Sequence, residues 1–265
     1  TTGPTRTKEV FLMIEKFDFF FPAAGENRKI HLYLPDDYNE TDERYPVMYM
    51  FDGHNLFYDS DATYGKSWGM KDFLDRWEKK IIVVGLECSH TGNDRLREYC
   101  PYHWDSFVGP IDGTGDDTMR WIVNDVKPFI DGNFRTWPHR AATGIGGSSM
   151  GGLMALYAAI RYNAVFSKAA CVSSAIGFCG KQLRAAIQEC PMDADTKVFL
   201  SWGSNESGSP RGKAIANACN KSVNDHLYRK GVQPYMFRQI GGRHCESDWE
   251  KQVPLFMNWL WLDRI

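Results

Sequence analysis

The sequence predicts an α/β fold in which helices cover both faces of a mostly parallel, doubly wound β-sheet. Short apolar segments closed by Gly or other turn residues alternate with longer helical segments along the chain. Alternation sustained over this length is typical of parallel strands joined by crossover helices. The 265 residues include 43% hydrophobic and 24% charged residues, as in an ordinary globular domain. We therefore expect residues 1–265 to form a single domain, with residues 1–9 as a flexible N-terminal segment.

The chain opens with aromatic and aliphatic segments that predict antiparallel strands at one edge of the sheet. Pro35 and the two aspartates that follow it end this set. The later strand candidates are short and almost wholly apolar, which is typical of strands buried on both faces of a parallel sheet. The edge candidates lie at residues 10–14, 17–21 and 29–34, and the buried ones at 47–51, 81–86, 141–146, 169–173, 198–202 and 235–238.

Helical segments separate these strands, as a doubly wound sheet requires. One long stretch, residues 88–117, shows no regular pattern and is rich in Gly, Asp, Tyr and Trp. In α/β enzymes such a stretch usually borders the functional site, so we expect an irregular loop there. The helix candidates lie at residues 70–77, 118–130, 150–161, 182–188, 214–229 and 249–262.

Composition excludes several classes of function. The 31 Lys and Arg nearly balance the 33 Asp and Glu, whereas a nucleic-acid binder normally carries a clearly basic surface. No run approaches the roughly 18–20 apolar residues of a membrane-spanning helix, so we expect neither a nucleic-acid nor a membrane partner. The seven cysteines form no C-x-x-C pair, which argues against a disulfide framework or a structural metal site and favours a reducing, cytoplasmic compartment.

The strongest local motif is the G-x-S-x-G sequence at residues 147–151. It follows an apolar strand candidate and precedes an Ala- and Leu-rich helix candidate, which is the context of a nucleophile elbow. In such an elbow a sharp turn lifts a serine clear of the sheet, and small neighbours let the backbone approach itself closely. The helix N-terminus adds positive potential for a developing oxyanion. We predict Ser149 as the nucleophile, with Ser148, one residue early in the motif, as its competitor.

A serine nucleophile needs a base to take its proton and an acid to hold that base in the correct tautomer. In this architecture the chain order is serine, carboxylate, histidine. Glu206 and His244 each follow a strand candidate, and catalytic groups gather at the carboxyl ends of parallel strands. Asp193 and Asp195 precede their strand and so lie at the wrong end of the sheet, and Asp248 stays open as an alternative acid. We predict Glu206 as the acid and His244 as the base.

An oxyanion formed at Ser149 needs two hydrogen-bond donors. The first is expected to be the backbone N–H of Met150, the residue after the nucleophile, and the second an N–H on the loop after an early central strand. On that loop we nominate the N–H of His54, with Gly53 supplying the tight turn. The His54 imidazole is either a substrate contact or a plain polar loop side chain. Asp52 is either a turn former or an acceptor for a hydroxyl of a bound sugar or alcohol.

Several short segments of the chain match one known family. They are residues 48–53, 67–69, 97–99, 101, 146–153, 157, 203–206 and 241–244. Through them the chain resembles, from about residue 25 to the C-terminus, the esterase D-like family of α/β-hydrolases. That family includes feruloyl and acetyl-xylan esterases, siderophore trilactone esterases, S-formylglutathione hydrolases and mycolyltransferases. The resemblance implies an α/β-hydrolase fold, the triad Ser149, Glu206 and His244, oxyanion amides at His54 and Met150, and no metal or organic cofactor.

These features together predict a serine esterase that works through an acyl-enzyme on a small-molecule or oligosaccharide ester. Flat aromatic rings suit both sugar faces and aryl acyl groups, and Trp68 and Trp121 come in or beside loops that could roof the site. We therefore favour a carbohydrate-linked feruloyl or acetyl ester, with Asp52, Trp68, Trp121 and Arg97 as substrate-binding residues.

Three alternatives stay open. A siderophore trilactone esterase would need cationic side chains to meet catecholates, and Arg95, Arg97 and Arg243 are candidates. An acyltransferase would use the same triad but pass the acyl group to a hydroxyl acceptor instead of water. A non-catalytic binding module on a retained hydrolase fold is the third, because a fold alone does not establish activity.

Overall fold

The computed structural model describes residues 13–106 and 109–263, so the expectations for residues 1–9 and for the strand residues 10–12 lie outside the described residues. Among these described residues, eight strands form one sheet, and two more form a separate hairpin. The strands are β1 Ile14–Phe21, β2 Glu26–Tyr33, β3 Val47–Phe51, β4 Ile82–Leu86, β5 His103–Ser106, β6 Gly109–Asp112, β7 Thr143–Ser148, β8 Lys168–Val172, β9 Lys197–Gly203 and β10 Gln233–Gln239.

The large sheet has the order β1-β2-β4-β3-β7-β8-β9-β10 and is parallel from β4 to β10. Strands β1 and β2 pair antiparallel, and β2 joins β4 antiparallel, so the expected antiparallel edge is confirmed. The chain passes from β3 to β4 on one side and returns to β7 on the other side of β3. The strand order therefore reverses between β3 and β7, and a crevice opens at their carboxyl ends.

Helices pack on both faces of this sheet, which confirms the predicted fold class. Strand β3 shows why, because its side chains alternate between the faces. Val47, Tyr49 and Phe51 enter one apolar cluster, and Met48 and Met50 enter the other. The helices are α1 Met70–Leu74, α2 Asp94–Glu98, α3 Gly115–Trp121, α4 Lys127–Asn133, α5 Met150–Arg161, α6 Ile176–Glu189, α7 Pro210–Lys230, α8 Glu246–Trp249 and α9 Val253–Leu262.

The stretch 88–117 is more regular than the sequence predicts. Helix α2, the β5–β6 hairpin and the start of α3 all lie within it. Each of these elements is only four to seven residues long, too short to show a clear hydrophobic period. The absence of a regular pattern and the richness in Gly, Asp, Tyr and Trp therefore made this stretch look like an irregular loop.

Two further expectations can be compared with the described residues. All seven cysteines are free thiols, in agreement with the absence of a predicted disulfide framework. Within residues 13–106 and 109–263, no helix is long and apolar enough to cross a membrane.

Candidate active site

Ser149 occupies a strained turn between a central strand and the helix that follows it. Strand β7 ends at Ser148 and α5 begins at Met150, and Ser149 between them has φ 55° and ψ −118°. A positive φ at a residue with a side chain costs about 1–3 kcal/mol and persists only where the surroundings hold it. Here the Ser149 N–H donates to the Val172 carbonyl at 3.0 Å, and the Ala175 N–H donates to the Ser149 carbonyl at 2.9 Å. The turn is therefore tied to the neighbouring strand β8.

The glycines of the motif are required by close backbone approach. A Cβ atom at Gly147 would lie 2.8 Å from the Gly151 carbonyl carbon, and one at Gly151 would lie 2.8 Å from Phe51 Cβ. A Cβ at Gly152 would lie 2.9 Å from the Val172 carbonyl oxygen. These distances are shorter than van der Waals contact, so no side chain fits at any of the three positions.

Glu206 and His244 meet on two loops at the same edge of the sheet. Glu206 follows β9 and His244 follows β10, and His244 Nδ1 lies 3.2 Å from Glu206 Oε2. The two loops are joined by backbone hydrogen bonds, since the Ser204 N–H donates to the Gln239 carbonyl at 2.9 Å and the Asn205 N–H to the Gly242 carbonyl at 2.8 Å. The pairing of β9 with β10 therefore brings acid and imidazole together.

Glu206 is held as a carboxylate. Its Oε1 accepts hydrogen bonds from the Ser173 hydroxyl at 2.7 Å and from the Gly203 N–H. Burial opposes ionisation, but the hydrogen bonds from His244, Ser173 and Gly203 outweigh it and lower the pKa of the Glu206 carboxyl. A negative charge facing Nδ1 holds the imidazole tautomer with a proton on Nδ1, which leaves Nε2 free to act as a base.

Two side chains that support Glu206, those of Ser173 and Trp249, were not predicted from the sequence. Ser173 has a positive φ of 46° at the end of β8, and its hydroxyl accepts a hydrogen bond from Trp249 Nε1 at 2.9 Å. The Trp249 ring also meets the His244 ring edge to face, with centroids 5.0 Å apart. Ser173 was detectable in principle, because it directly follows a buried strand at the carboxyl edge where Ser149 lies.

The two nominated oxyanion donors lie on neighbouring turns after β7 and β3. Met150 is the first residue of α5 and His54 lies in the short 3-10 turn Gly53–Asn55, positions whose N–H groups have no partner within their own helix. Gly53 is required there, because a Cβ on it would overlap the backbone of Gly85 in β4. Strands β3 and β7 are adjacent in the sheet, so both amides come to one end of the crevice.

A cavity of about 570 Å³ opens at this edge, and Ser149, His244, His54 and Asp52 all line it. Within the described residues, Ser149 makes no side-chain hydrogen bond to His244. Catalytic hydrogen bonds are often long before substrate binds. The described structure therefore brings Ser149 and His244 to one cavity, with His244 already paired to Glu206.

Asp52 is engaged by a cation at the cavity wall. Arg95 Nε and Nη2 donate to the two Asp52 oxygens at 2.8 and 2.7 Å. Burial alone would raise the pKa of Asp52, but the Arg95 guanidinium outweighs it and lowers that pKa. Arg95, one of the cations named from the sequence, thus lines the cavity and faces Asp52.

The structure does not bring Trp68, Trp121 or Arg97 to this cavity. Trp68 is buried against Trp249 and Phe256 in the core under α9. Trp121 is buried on the other face, where its indole N–H donates to the Phe20 carbonyl. Arg97 lies on a separate surface pocket and pairs with Asp94. Trp68 and Trp121 were chosen because they lie near loops in sequence. That proximity does not determine the direction in which a side chain points.

A strained serine after a central parallel strand, with a histidine and a carboxylate on later loops of the same edge, defines an α/β-hydrolase. The sequence profile of the Putative esterase family matches residues 22–257. The chain belongs to this family, and the protein is a carboxylic ester hydrolase.

Two relatives illustrate the sequence similarity. The uncharacterized protein YbbA of Bacillus subtilis is 26% identical over 243 residues, which cover 89% of this chain and 93% of YbbA. Esterase MT1326 of Mycobacterium tuberculosis is 31% identical over 153 residues, which cover 58% of this chain. This chain spans 30% of the length of that mycobacterial esterase.

Solved structures share the fold. An IroE-like serine hydrolase from Shewanella oneidensis has a TM-score of 0.72 at 20% identity, over 93% of this chain and 81% of that one. A ferulic acid esterase has a TM-score of 0.70 at 16% identity, over 93% and 97% of the two chains. The siderophore hydrolase EstA from Aspergillus nidulans has a TM-score of 0.70 at 15% identity, over 97% and 98%.

Proposed function

We propose that this esterase works by acyl transfer in two halves, with Ser149 as nucleophile, His244 as base and Glu206 as the acid behind it. The observation that carries the proposal is the contact between His244 and Glu206 in a cavity that also holds the strained Ser149. His244 Nε2 takes the Ser149 proton as the hydroxyl attacks the ester carbonyl. His244 then returns that proton to the leaving alcohol, and an acyl-enzyme remains.

Charge develops on the carbonyl oxygen during both halves of the reaction. The N–H groups of Met150 and His54 are the proposed donors to this oxyanion, because each lies at the start of a helical turn, Met150 directly after Ser149 and His54 in the wall of the same cavity. Water then attacks the acyl-enzyme with His244 again as the base. The His244 side chain is 39% exposed, which supports water as the acceptor in the second half.

The side chains that line the cavity favour a substrate ester with many oxygen atoms. Most of its side chains are hydrogen-bonding groups, among them Asp52, Asn55, Thr63 and Arg95. A carbohydrate-linked acyl ester, such as an acetylated sugar, matches such a wall through its hydroxyl groups. A feruloyl group would have to rest its ring on Tyr64 or Trp249, which line the cavity, because neither Trp68 nor Trp121 reaches it.

A siderophore ester is the second candidate substrate. Arg95 lines the cavity with its side chain 32% exposed, and His54 and His90 lie in the same wall. These groups suit the anionic oxygens of a catecholate, and the siderophore hydrolase EstA shares the fold. Asp52 partly neutralises Arg95, so we place this candidate after the acylated sugar.

The Ser149→Ala variant tests the nucleophile. It should lower kcat by roughly 10³–10⁶-fold without loss of fold, because removal of a catalytic serine leaves only binding and oxyanion stabilisation. Ser148→Ala is the matched control, since it removes the neighbouring hydroxyl of the same motif and should keep activity within a few-fold. If the losses were reversed, Ser148 would be the nucleophile and the proposed triad would be wrong.

Acid release from a panel of esters tests the substrate class. The panel holds an acetylated xylo-oligosaccharide, methyl ferulate, a catecholate trilactone and a short-chain aryl ester, with Ser149→Ala as the blank. We expect the highest kcat/KM for the acetylated oligosaccharide. A preference for the trilactone would favour the siderophore candidate, and product that appears only with an added hydroxyl acceptor would show an acyltransferase.

A further inference from the structure

A cluster of two imidazoles and a carboxylate lies beside the cavity, outside the proposed triad. His54 lies on the turn after β3, and Glu87 and His90 lie on the loop after β4. One ligand atom from each of the three lies within 4.8 Å of the other two. Strands β3 and β4 are adjacent and parallel, so the two loops meet at the carboxyl edge although they are more than thirty residues apart in sequence.

His54 carries a buried nitrogen without a partner. Its Nε2 lies 2.9 Å from the Thr63 hydroxyl, while Nδ1 is buried and has no hydrogen bond among the described residues. The residue is only 7% exposed. Buried polar atoms are almost always satisfied, because an unpaired one costs about 1–3 kcal/mol. When Nε2–H donates to Thr63, Nδ1 presents a lone pair, which is what a metal ion takes from an imidazole.

The Glu87 carboxylate is also held by His31, a histidine outside the cluster. His31 Nε2 on β2 lies 2.6 Å from Glu87 Oε1, and His90 Nε2 lies 3.2 Å from Oε2. A ligand carboxylate held by an outer hydrogen bond is the usual arrangement around protein-bound metals. The His90 side chain is 56% exposed, which leaves an entry path from solvent.

We propose that His54, Glu87 and His90 bind a divalent transition-metal ion, with Zn²⁺ as the best-matched ion. Two imidazoles and one carboxylate are a borderline nitrogen and oxygen ligand set, which suits Zn²⁺ and not Ca²⁺ or Mg²⁺. Three protein ligands leave a fourth position for water or a substrate oxygen, and His54 and His90 line the cavity that holds Ser149. The bound ion would also link the turn that carries the His54 amide to the loop after β4.

No metal site was predicted from the sequence, because the cysteine spacing argues against one and the family resemblance implies no metal cofactor. His54 on one side and Glu87 and His90 on the other come from two loops, so no short motif joins all three. The proposal depends on this geometry alone and not on the proposed triad.

The test is zinc binding to the full chain after treatment with a chelator. Calorimetric titration with ZnCl₂ should give one site per chain in the wild type. His90→Ala should weaken that site by about 100-fold or more, because loss of even an outer-shell partner costs 10–100-fold. His90 is exposed, so this variant should fold normally. His103→Ala is the matched control, since His103 is an exposed histidine that also contacts two carboxylates, Asp105 and Asp112, and it should bind zinc like the wild type.

The visible absorption of bound Co²⁺ provides a second measurement, because it reports on the ligand atoms. Co²⁺ bound by two imidazoles and a carboxylate should give visible absorption bands, and Glu87→Gln should weaken binding and change those bands. Absence of a site in the wild type, or equal affinity in wild type and His90→Ala, would overturn the proposal. Ser149→Ala should bind zinc unchanged, so failure of the metal site and failure of the triad are separate results.

Discussion

The serine side and the acid–base side of the site are held in place in different ways. Around Ser149 the backbone is constrained by close packing, since Gly147 and Gly151 have no room for a Cβ and the turn is bonded to β8. Glu206 and His244 instead lie on two loops after the outer strands β9 and β10. Hydrogen bonds between those loops and from Ser173 fix their relative position.

This difference separates local from long-range determinants of the site. The elbow is a short segment whose glycines pack against each other and against the neighbouring strands β3 and β8. The acid–base pair depends on residues 38 positions apart in sequence. Substitutions around Ser149 should therefore act by steric overlap. Substitutions around Glu206 and His244 should act by separating the two loops that carry these residues.

Removal of the acid should have the largest effect on the acid–base side. Glu206→Gln keeps the shape but loses the charge that holds His244, and we expect kcat to fall by roughly 10²–10⁴-fold, as for other triad acids. Steady-state kinetics with the best ester of the panel gives the measurement. Asp193→Asn is the control, because Asp193 pairs with Arg140 away from the cavity. An equal loss in both variants would contradict the assignment of Glu206.

Steric separation of the two loops should have the next largest effect. A Cβ at Gly203 would overlap the Gly242 backbone, so Gly203→Ala should push the two loops apart, lower kcat and cost about 2–4 kcal/mol of unfolding free energy. Gly208→Ala, on the same connection, meets nothing within 4 Å and should be nearly neutral. Urea unfolding followed by circular dichroism compares the two. Similar midpoints would mean that the loop contact does not position His244.

Loss of the supporting hydroxyl should have a moderate effect. Ser173→Ala removes one hydrogen bond to the Glu206 carboxylate, and kcat should fall by about tenfold, equivalent to about 1.4 kcal/mol. Because Ser173 acts through Glu206 and His244, KM should stay nearly constant. A larger change in KM than in kcat would indicate that Ser173 contacts substrate. Ser174→Ala, whose hydroxyl has no partner among the described residues, is the control.

The smallest expected effect is on stability in acid. The pKa of Glu206 is lower in the folded protein than its ordinary value of 4.5, so its carboxylate stabilises the fold above that pH. This contribution should be lost as the pH falls through the folded pKa. The difference in unfolding free energy between wild type and Glu206→Gln, on the order of 1 kcal/mol at pH 6, should therefore shrink toward pH 3. Denaturant unfolding at several pH values measures it, and a constant difference would show that Glu206 is not preferentially ionised in the fold.

Much of the fold could be predicted from local pattern. Helix α5 begins and ends at the predicted residues, and strand β3 does as well, because an apolar run bounded by turn residues marks both ends. The stretch 88–117 could not be predicted in the same way, since its elements are too short to show a period. In the candidate site, Trp68 and Trp121 were misplaced because sequence distance from a loop does not determine the direction of a side chain.

The sequence by itself determined the family, the sheet class and the residue types available for acyl transfer. Those features reside in short motifs, such as the glycines around Ser149, which can be read directly from consecutive residues. Only the tertiary structure decided that Ser173 supports Glu206, that Arg95 faces Asp52, and that His54, Glu87 and His90 lie close together. These contacts depend on which strands are neighbours in the sheet, and strand order is a property of the whole chain rather than of any one segment.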